Sequence, residues 1–118
     1  MATFTKAHLS GADDGLAVKV AATSSTGTTI HTSSSSTSAG EFSEIFLWAT
    51  NTSTAAVQLT IEWGTPTAAD GNIIVTVPPK EGLMAVVPGL ILHNSKVVTA
   101  FAAQADVILL VGYANEIA

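Results

Sequence analysis

The chain has 118 residues, room for one domain and one modest core. Charged residues make up only 11% of it, against about 25% in an average soluble domain, and the formal net charge is −5. Its only basic side chains are Lys6, Lys19, Lys80 and Lys96, with no Arg and no Cys, which argues against phosphate neutralisation on nucleic acid and excludes a disulfide framework, thiolate chemistry and a zinc ribbon.

The mean hydropathy of +0.46 requires that apolar surface be hidden, either in a membrane or against other protein chains. A spanning helix needs about 20 unbroken apolar residues. The stretch LMAVVPGLIL is interrupted by Pro88 and Gly89, VILLVGYA is too short, and MATFTKAHLSGADDG holds no apolar run of signal-peptide length. The expectation is a chain outside the membrane, without a cleaved signal, whose apolar surplus is covered by subunit contact.

In chain order, GLAVKVAA alternates with Leu16, Val18 and Val20 on one side, the period of a half-buried strand. From Thr23 to Ser38 every residue is Ser or Thr except Gly27, Ile30 and His31. Only 22 residues precede this tract, too few for a domain, so it is not a linker. Residues 23–40 are instead a strand, TTIHTS, and a loop of the same unit, with Ile30 turned inward. SEIFLWATN is apolar on both faces, Ile45 and Leu47 opposed to Phe46 and Trp48, which places it centrally in a sheet. AAVQLTIEWG puts Val57, Leu59, Ile61 and Trp63 inward and Gln58, Thr60 and Glu62 outward. The β-rich runs NIIVTVP, GLMAVVP, GLIL, KVVTAFAA and DVILLVGYA follow, separated by PPKEG, PG, HNS and AQA. No segment holds a helical period, and eight or nine short strands at near-regular spacing predict an all-β sandwich or barrel over residues 1–118.

The run at residues 107–111 is apolar on both faces, with Val107, Leu109 and Val111 set against Ile108 and Leu110. Since a sandwich strand in a lone domain needs one apolar face, the other requires cover, from a loop or a neighbouring subunit. KVVTAFAA has the same doubled character. Val107, Ile108, Leu109, Leu110 and Val111, with Val97 and Phe101, are therefore the candidate oligomer or capsid interface.

No reactive signature emerges. His8, His31 and His93 have no metal-ligand spacing, Asp13-Asp14-Gly15 and Asp70-Gly71-Asn72 read as turns, and Glu41, Glu44 and Glu62 form no evident acid pair. There is no nucleophile elbow and no phosphate loop. Asn51-Thr52-Ser53 fits a glycosylation sequon but reads as a turn. Trp48, Trp63 and Tyr113 are expected as core anchors, with a sugar platform as the other use of such rings. The expectation is therefore no catalytic, cofactor or metal site.

The segment FLWATNTSTAAVQLTIEWG, followed by VPPKEGLMAVVPGLILHNSKVVTAFAAQADVILLVGYANEI, resembles the head decoration, or cement, proteins of tailed bacteriophages, most distinctively in LWATN, VPGLIL and VGYANEI. The resemblance covers about the C-terminal two-thirds of the chain. It implies a single-domain, jelly-roll-like antiparallel β-sandwich of about eight strands, forming a homotrimer on the outer surface of the head, bound to the major capsid protein and made in the host cytoplasm. A non-enzymatic, shell-stabilising role is thus expected, with no nucleic-acid or membrane partner. The alternatives are a carbohydrate-binding or host-adhesion module of a tail or fibre and, further off, a small cupin-like metal enzyme.

Overall fold

A computed structural model describes residues 3–118, and within them every regular element is a strand. The strands are β1 (Phe4–His8), β2 (Val18–Lys19), β3 (Thr28–Thr32), β4 (Phe42–Asn51), β5 (Val57–Trp63), β6 (Asn72–Val77), β7 (Met84–Leu92), β8 (Val97–Ala102) and β9 (Ile108–Ile117). One sheet runs β1-β9-β4-β7, with β2 extending the β1 edge along β9, and the other runs β3-β8-β5-β6. All pairings are antiparallel.

The topology follows from one long nested hairpin. The innermost pair is β5 with β6; around it β4 pairs with β7, β3 with β8, and finally β1 and β2 with β9. Wrapping that ribbon brings β9 beside β4 and β8 beside β5, which divides it into two sheets. This is the strand order of a jelly roll, with β1 and β2 acting as one interrupted strand.

Period-two alternation fills the space between the sheets. Ile45, Leu47 and Ala49 of β4 and Ile108, Leu110 and Ala114 of β9 meet Leu59 and Ile61 of β5 and Val98, Ala100 and Ala102 of β8, all essentially without exposure. Ile30 joins them as the one large apolar side chain of the Ser/Thr tract. Trp63 packs against this core from the inner face of β5.

Two expectations about strands need correction. The alternation of GLAVKVAA yields only the short β2, because Asp14 and Gly15 take positive φ (54° and 82°) and the Leu16 amide closes a turn onto the Asp13 carbonyl. Leu16 is left exposed, while Val18 and Val20 are buried. GLMAVVP and GLIL are one strand, β7, which passes Pro88 and Gly89 by shifting register against β4. Gly89, at φ 96°, is required there, since a Cβ would come 2.8 Å from the Phe46 ring. The N-terminal segment also contributes β1, which no hydrophobic pattern announces.

Candidate functional site

The proposed interface residues separate into different layers. Ile108 and Leu110 are fully buried in the chain's own core, and Val107, just before β9, packs against that core. Leu109 and Val111 alternate with them onto the outer face of the first sheet, half-buried. Val97 and Phe101 lie on the outer face of the second sheet; Phe101 lines a recess of about 160 Å³ with Thr23, Gln58 and Thr60. The doubled apolar character of β9 thus resolves into one row taken up by the fold and one facing out.

That outward row belongs to a wider surface. Across the first sheet the register sets His8, Tyr113, Phe46 and Pro88 side by side, then Val111, Trp48 and Ala85, then Lys19, Leu109 and Thr50. Trp48 and Tyr113 therefore stand on this outer face and not among the core anchors expected for them. Both faces of β4 are apolar, and the face turned inward is the one carrying Ile45, Leu47 and Ala49. The rings of Phe46 and Tyr113 stack with centroids 4.9 Å apart, and Trp48 joins them at 6.0 Å from Tyr113 and 6.3 Å from Phe46. At 4.9 Å the two rings overlap in an offset stack and do not lie side by side. The Lys6 ammonium caps the Tyr113 ring at 4.6 Å from its centroid. The one carboxylate in these central rows' neighbourhood, Glu44, accepts from Asn115 Nδ2 at 3.1 Å.

At one end this surface opens into a cleft of about 420 Å³ lined by Ala39, Phe42, Ile91, Leu92, His93, Asn94 and Lys96. Phe42 and Ile91 continue the outer face into it, and Ile91 is exposed. The turn that leads from β7 to β8 forms one wall. His93 Nδ1 donates to the Ser38 carbonyl, which ties that wall to the end of the Ser/Thr tract.

The polar residues are organised for structure. His31 is 3% exposed; its Nδ1 accepts the Ser10 amide at 3.0 Å, so the ring proton sits on Nε2, which donates to Glu116 Oε1 at 3.0 Å. Ser43 Oγ donates to the other carboxylate oxygen, Glu116 Oε2, at 2.5 Å. The hydroxyl is therefore bound to the carboxylate and not to the imidazole, and at 0% exposure no substrate reaches it. Asn51 is equally enclosed: its Nδ2 donates to the Ala55 and Val77 carbonyls and its Oδ1 accepts the Ser53 amide, the turn expected of the sequon.

Glu62 points out from the second sheet, as the alternation of β5 predicts, yet is 1% exposed. Residues 23–27 of the Ser/Thr tract fold over it like a strap. Ser25 Oγ donates to Oε2 at 2.6 Å, while Thr99 Oγ1 at 2.6 Å and the Gly27 amide at 2.8 Å donate to Oε1. Burial pushes this carboxyl up, but the hydrogen bonds from Ser25, Thr99 and Gly27 together outweigh that and hold it below its ordinary value. Gly27 is needed at this spot because a Cβ would strike the Ala100 backbone.

Glu41, Glu44 and Glu62 thus serve three separate sets of partners: Glu41 takes the Ser36 hydroxyl, Glu44 takes Asn115, and Glu62 holds the strap. Asp13, Asp14 and Asp70 lie exposed in turns. Among the described residues no group of three or more His, Asp or Glu is placed to hold a metal ion. Sequence reasoning missed Glu116 and Lys6, whose partners lie 85 residues away in His31 and across β9 in Tyr113, so that no local spacing pointed to either. Comparison with known proteins finds no match: no family model fits the chain, and no curated protein or solved structure is significantly similar to it.

Proposed function

We propose that this chain is a non-enzymatic structural protein of a virion, which binds the outer surface of a capsid as an oligomer and stabilises the shell. The observation that carries the reading is the outer face of the first sheet. There Leu109, Val111, Phe46, Trp48 and Tyr113 form a continuous apolar and aromatic surface. Such a surface is suited to protein contact, since aromatic anchors over a water-excluding patch supply most of the energy of an interface. The resemblance of LWATN, VPGLIL and VGYANEI to phage head decoration proteins gives the partner, the major capsid protein, and the threefold assembly. Repetition over a lattice then turns modest single contacts into firm attachment.

The test is to purify the chain, mix it with capsids assembled without it, and measure co-sedimentation and particle survival under heat and osmotic shock. Binding with increased survival is expected, and Val111→Glu, on the outer face, is expected to weaken both. Particles that neither bind the chain nor gain resistance overturn the proposal.

The placement of Trp48 and Tyr113 on the outer face also favours a second reading, a carbohydrate-binding or adhesion module. Against it, the rings turn their faces on one another and on Lys6, whereas a sugar platform offers them to solvent. A glycan array distinguishes the two readings.

A further inference from the structure

The two sheets have four edges, and three of them are guarded. Strand β7 carries Pro88 and two register shifts. Strand β1 carries Lys6 at its centre. Strand β3 is covered by the chain that follows β1: the Gly11 amide donates to the Ile30 carbonyl, and Ser10 Oγ accepts the Thr32 amide. Proline, bulges, lysine and cover are the devices by which proteins keep sheet edges from pairing further.

Strand β6 has none of them. Its sequence, NIIVTV, holds no proline and no ionisable residue, and it pairs with β5 without a register shift. The bond from the Trp63 amide to the Gly71 carbonyl sets the phase of that ladder. Residues 73, 75 and 77 turn their backbone groups to β5, and Asn72, Ile74 and Thr76 turn theirs to the free edge. Among the described residues, the amides and carbonyls of Ile74 and Thr76 meet no hydrogen-bonding partner. The Ile74 side chain is 56% exposed beside them.

From this unguarded edge we infer that β6 pairs with β6 of a second copy of this chain, antiparallel and centred on Ile74, which joins two four-stranded sheets into one. In that register Ile74 exchanges hydrogen bonds with Ile74 of the second copy and covers its side chain, while Asn72 faces Thr76. No like charges are opposed, because β6 carries none. The flanks add no net repulsion: Asp70 precedes the strand and the Lys80-Glu81 pair that follows it is neutral overall, so antiparallel pairing brings each copy's Asp70 toward the other's Lys80 with Glu81 beside it. Two-fold, self-complementary contacts of this kind are the commonest in homo-oligomers. The contact is separate from the proposed capsid-binding face, which lies on the other sheet, and stands without it.

The test is native mass in solution, by light scattering or sedimentation, over a range of concentrations. Whatever assembly forms through the other sheet, the wild-type chain is expected at twice the mass of chains whose β6 edge is blocked, 12.0 kDa being one copy. Ile74→Pro removes only an amide that faces the free edge, and Ile74→Lys opposes like charges at the two-fold; both are expected to halve the mass with circular dichroism unchanged. The chain has no Cys, so Ile74→Cys reports the register: a short bis-maleimide, whose reach suits the wider spacing of a hydrogen-bonded pair, is expected to cross-link it into dimers, while Thr76→Cys, which faces Asn72, stays uncrosslinked. A wild-type chain that remains at 12.0 kDa at the highest concentration overturns the inference, as does a dimer that persists in Ile74→Lys or an Ile74→Cys chain that does not cross-link.

Discussion

Thr99 donates its hydroxyl to Glu62 at 2.6 Å across the β8–β5 ladder, on a sheet face that the Ser/Thr tract has closed to solvent. Among the described residues the carboxylate meets three donors and no cation, so hydrogen bonds hold its charge. Its removal leaves the donors of Ser25, Gly27 and Thr99 without their acceptor. Glu62→Ala is expected to cost on the order of 3 kcal/mol in chemical denaturation.

The same geometry predicts a pH dependence. The folded-state pKa of Glu62 lies below its ordinary value of 4.5, so the ionised form is favoured by folding. Its contribution is therefore complete above about pH 4.5 and is lost as pH falls through the lower folded value. Unfolding free energies of the wild-type chain and of Glu62→Gln, measured between pH 7 and 3, are expected to converge toward the acid end. Parallel curves would mean that the strap does not depend on the charge.

At the other end of the sandwich, Ser43 links two parts of the chain through one hydroxyl. It donates to Glu116 at 2.5 Å and accepts the Ser34 amide at 2.9 Å, with no exposure. Ser43→Ala takes a donor from the half-buried Glu116 carboxylate and an acceptor from the half-buried Ser34 amide, and is expected to cost about 1 kcal/mol. Amide exchange is the sharper measurement, because protection at Ser34 is expected to fall first if the tract is held here.

Leu109 and Leu110 are neighbours in sequence with opposite surroundings. Leu110 is fully buried between the sheets, whereas Leu109 lies half-buried on the outer face. Leu110→Ala is expected to lose about 2–5 kcal/mol through lost burial and the cavity it leaves. Leu109→Ala, with little cavity to create, is expected to lose less than about 1 kcal/mol and to weaken capsid association instead. Thermal unfolding beside co-sedimentation separates the two effects.

How much of this was legible in the sequence depended on whether one face or two carried the signal. Strand β5 alternates cleanly, so Val57, Leu59, Ile61 and Trp63 were assignable inward and proved so. Strand β4 is apolar on both faces, and polarity at its ends misleads: the inward row finishes in Ser43 and Asn51, which the fold buries by giving each its own partners. Its central position was readable, but not which side Trp48 faced. Strand β1 was invisible because FTKAH is held by backbone pairing to residues 113–117 and not by burial, its one large apolar residue, Phe4, being exposed. The strap over Glu62 and the His31–Glu116 pair were beyond reach for another reason. Their partners lie 35 to 85 residues apart and meet only when the nested ribbon wraps. The Ser/Thr tract, by contrast, offered Ile30 as its one large apolar side chain, and β3 buries it between the sheets.

The turn between β7 and β8 offers the last prediction. Asn94 and Ser95 both take positive φ, 62° and 56°, and the Lys96 amide returns to the His93 carbonyl, the geometry of a type I′ turn that carries the chain from β7 in one sheet to β8 in the other. Asn tolerates the left-handed region, but Ser gains little there, and the second central position of such turns favours Gly. What holds Ser95 in place is backbone: its amide donates to the Ser34 carbonyl at 2.8 Å, beside the bond from Asn94 to Ser36 at 2.9 Å. Ser95→Gly keeps both bonds and removes the steric strain, at the cost of a more flexible unfolded chain. The balance is expected to favour the variant by about 0.5–1 kcal/mol, read as a higher unfolding midpoint with an unchanged m-value. Ser95→Val, which is β-branched and least able to adopt positive φ, is expected to shift the midpoint the opposite way. Since the turn also walls the cleft at Phe42 and Ile91, the pair of variants would reveal whether that end of the outer face tightens or loosens with it.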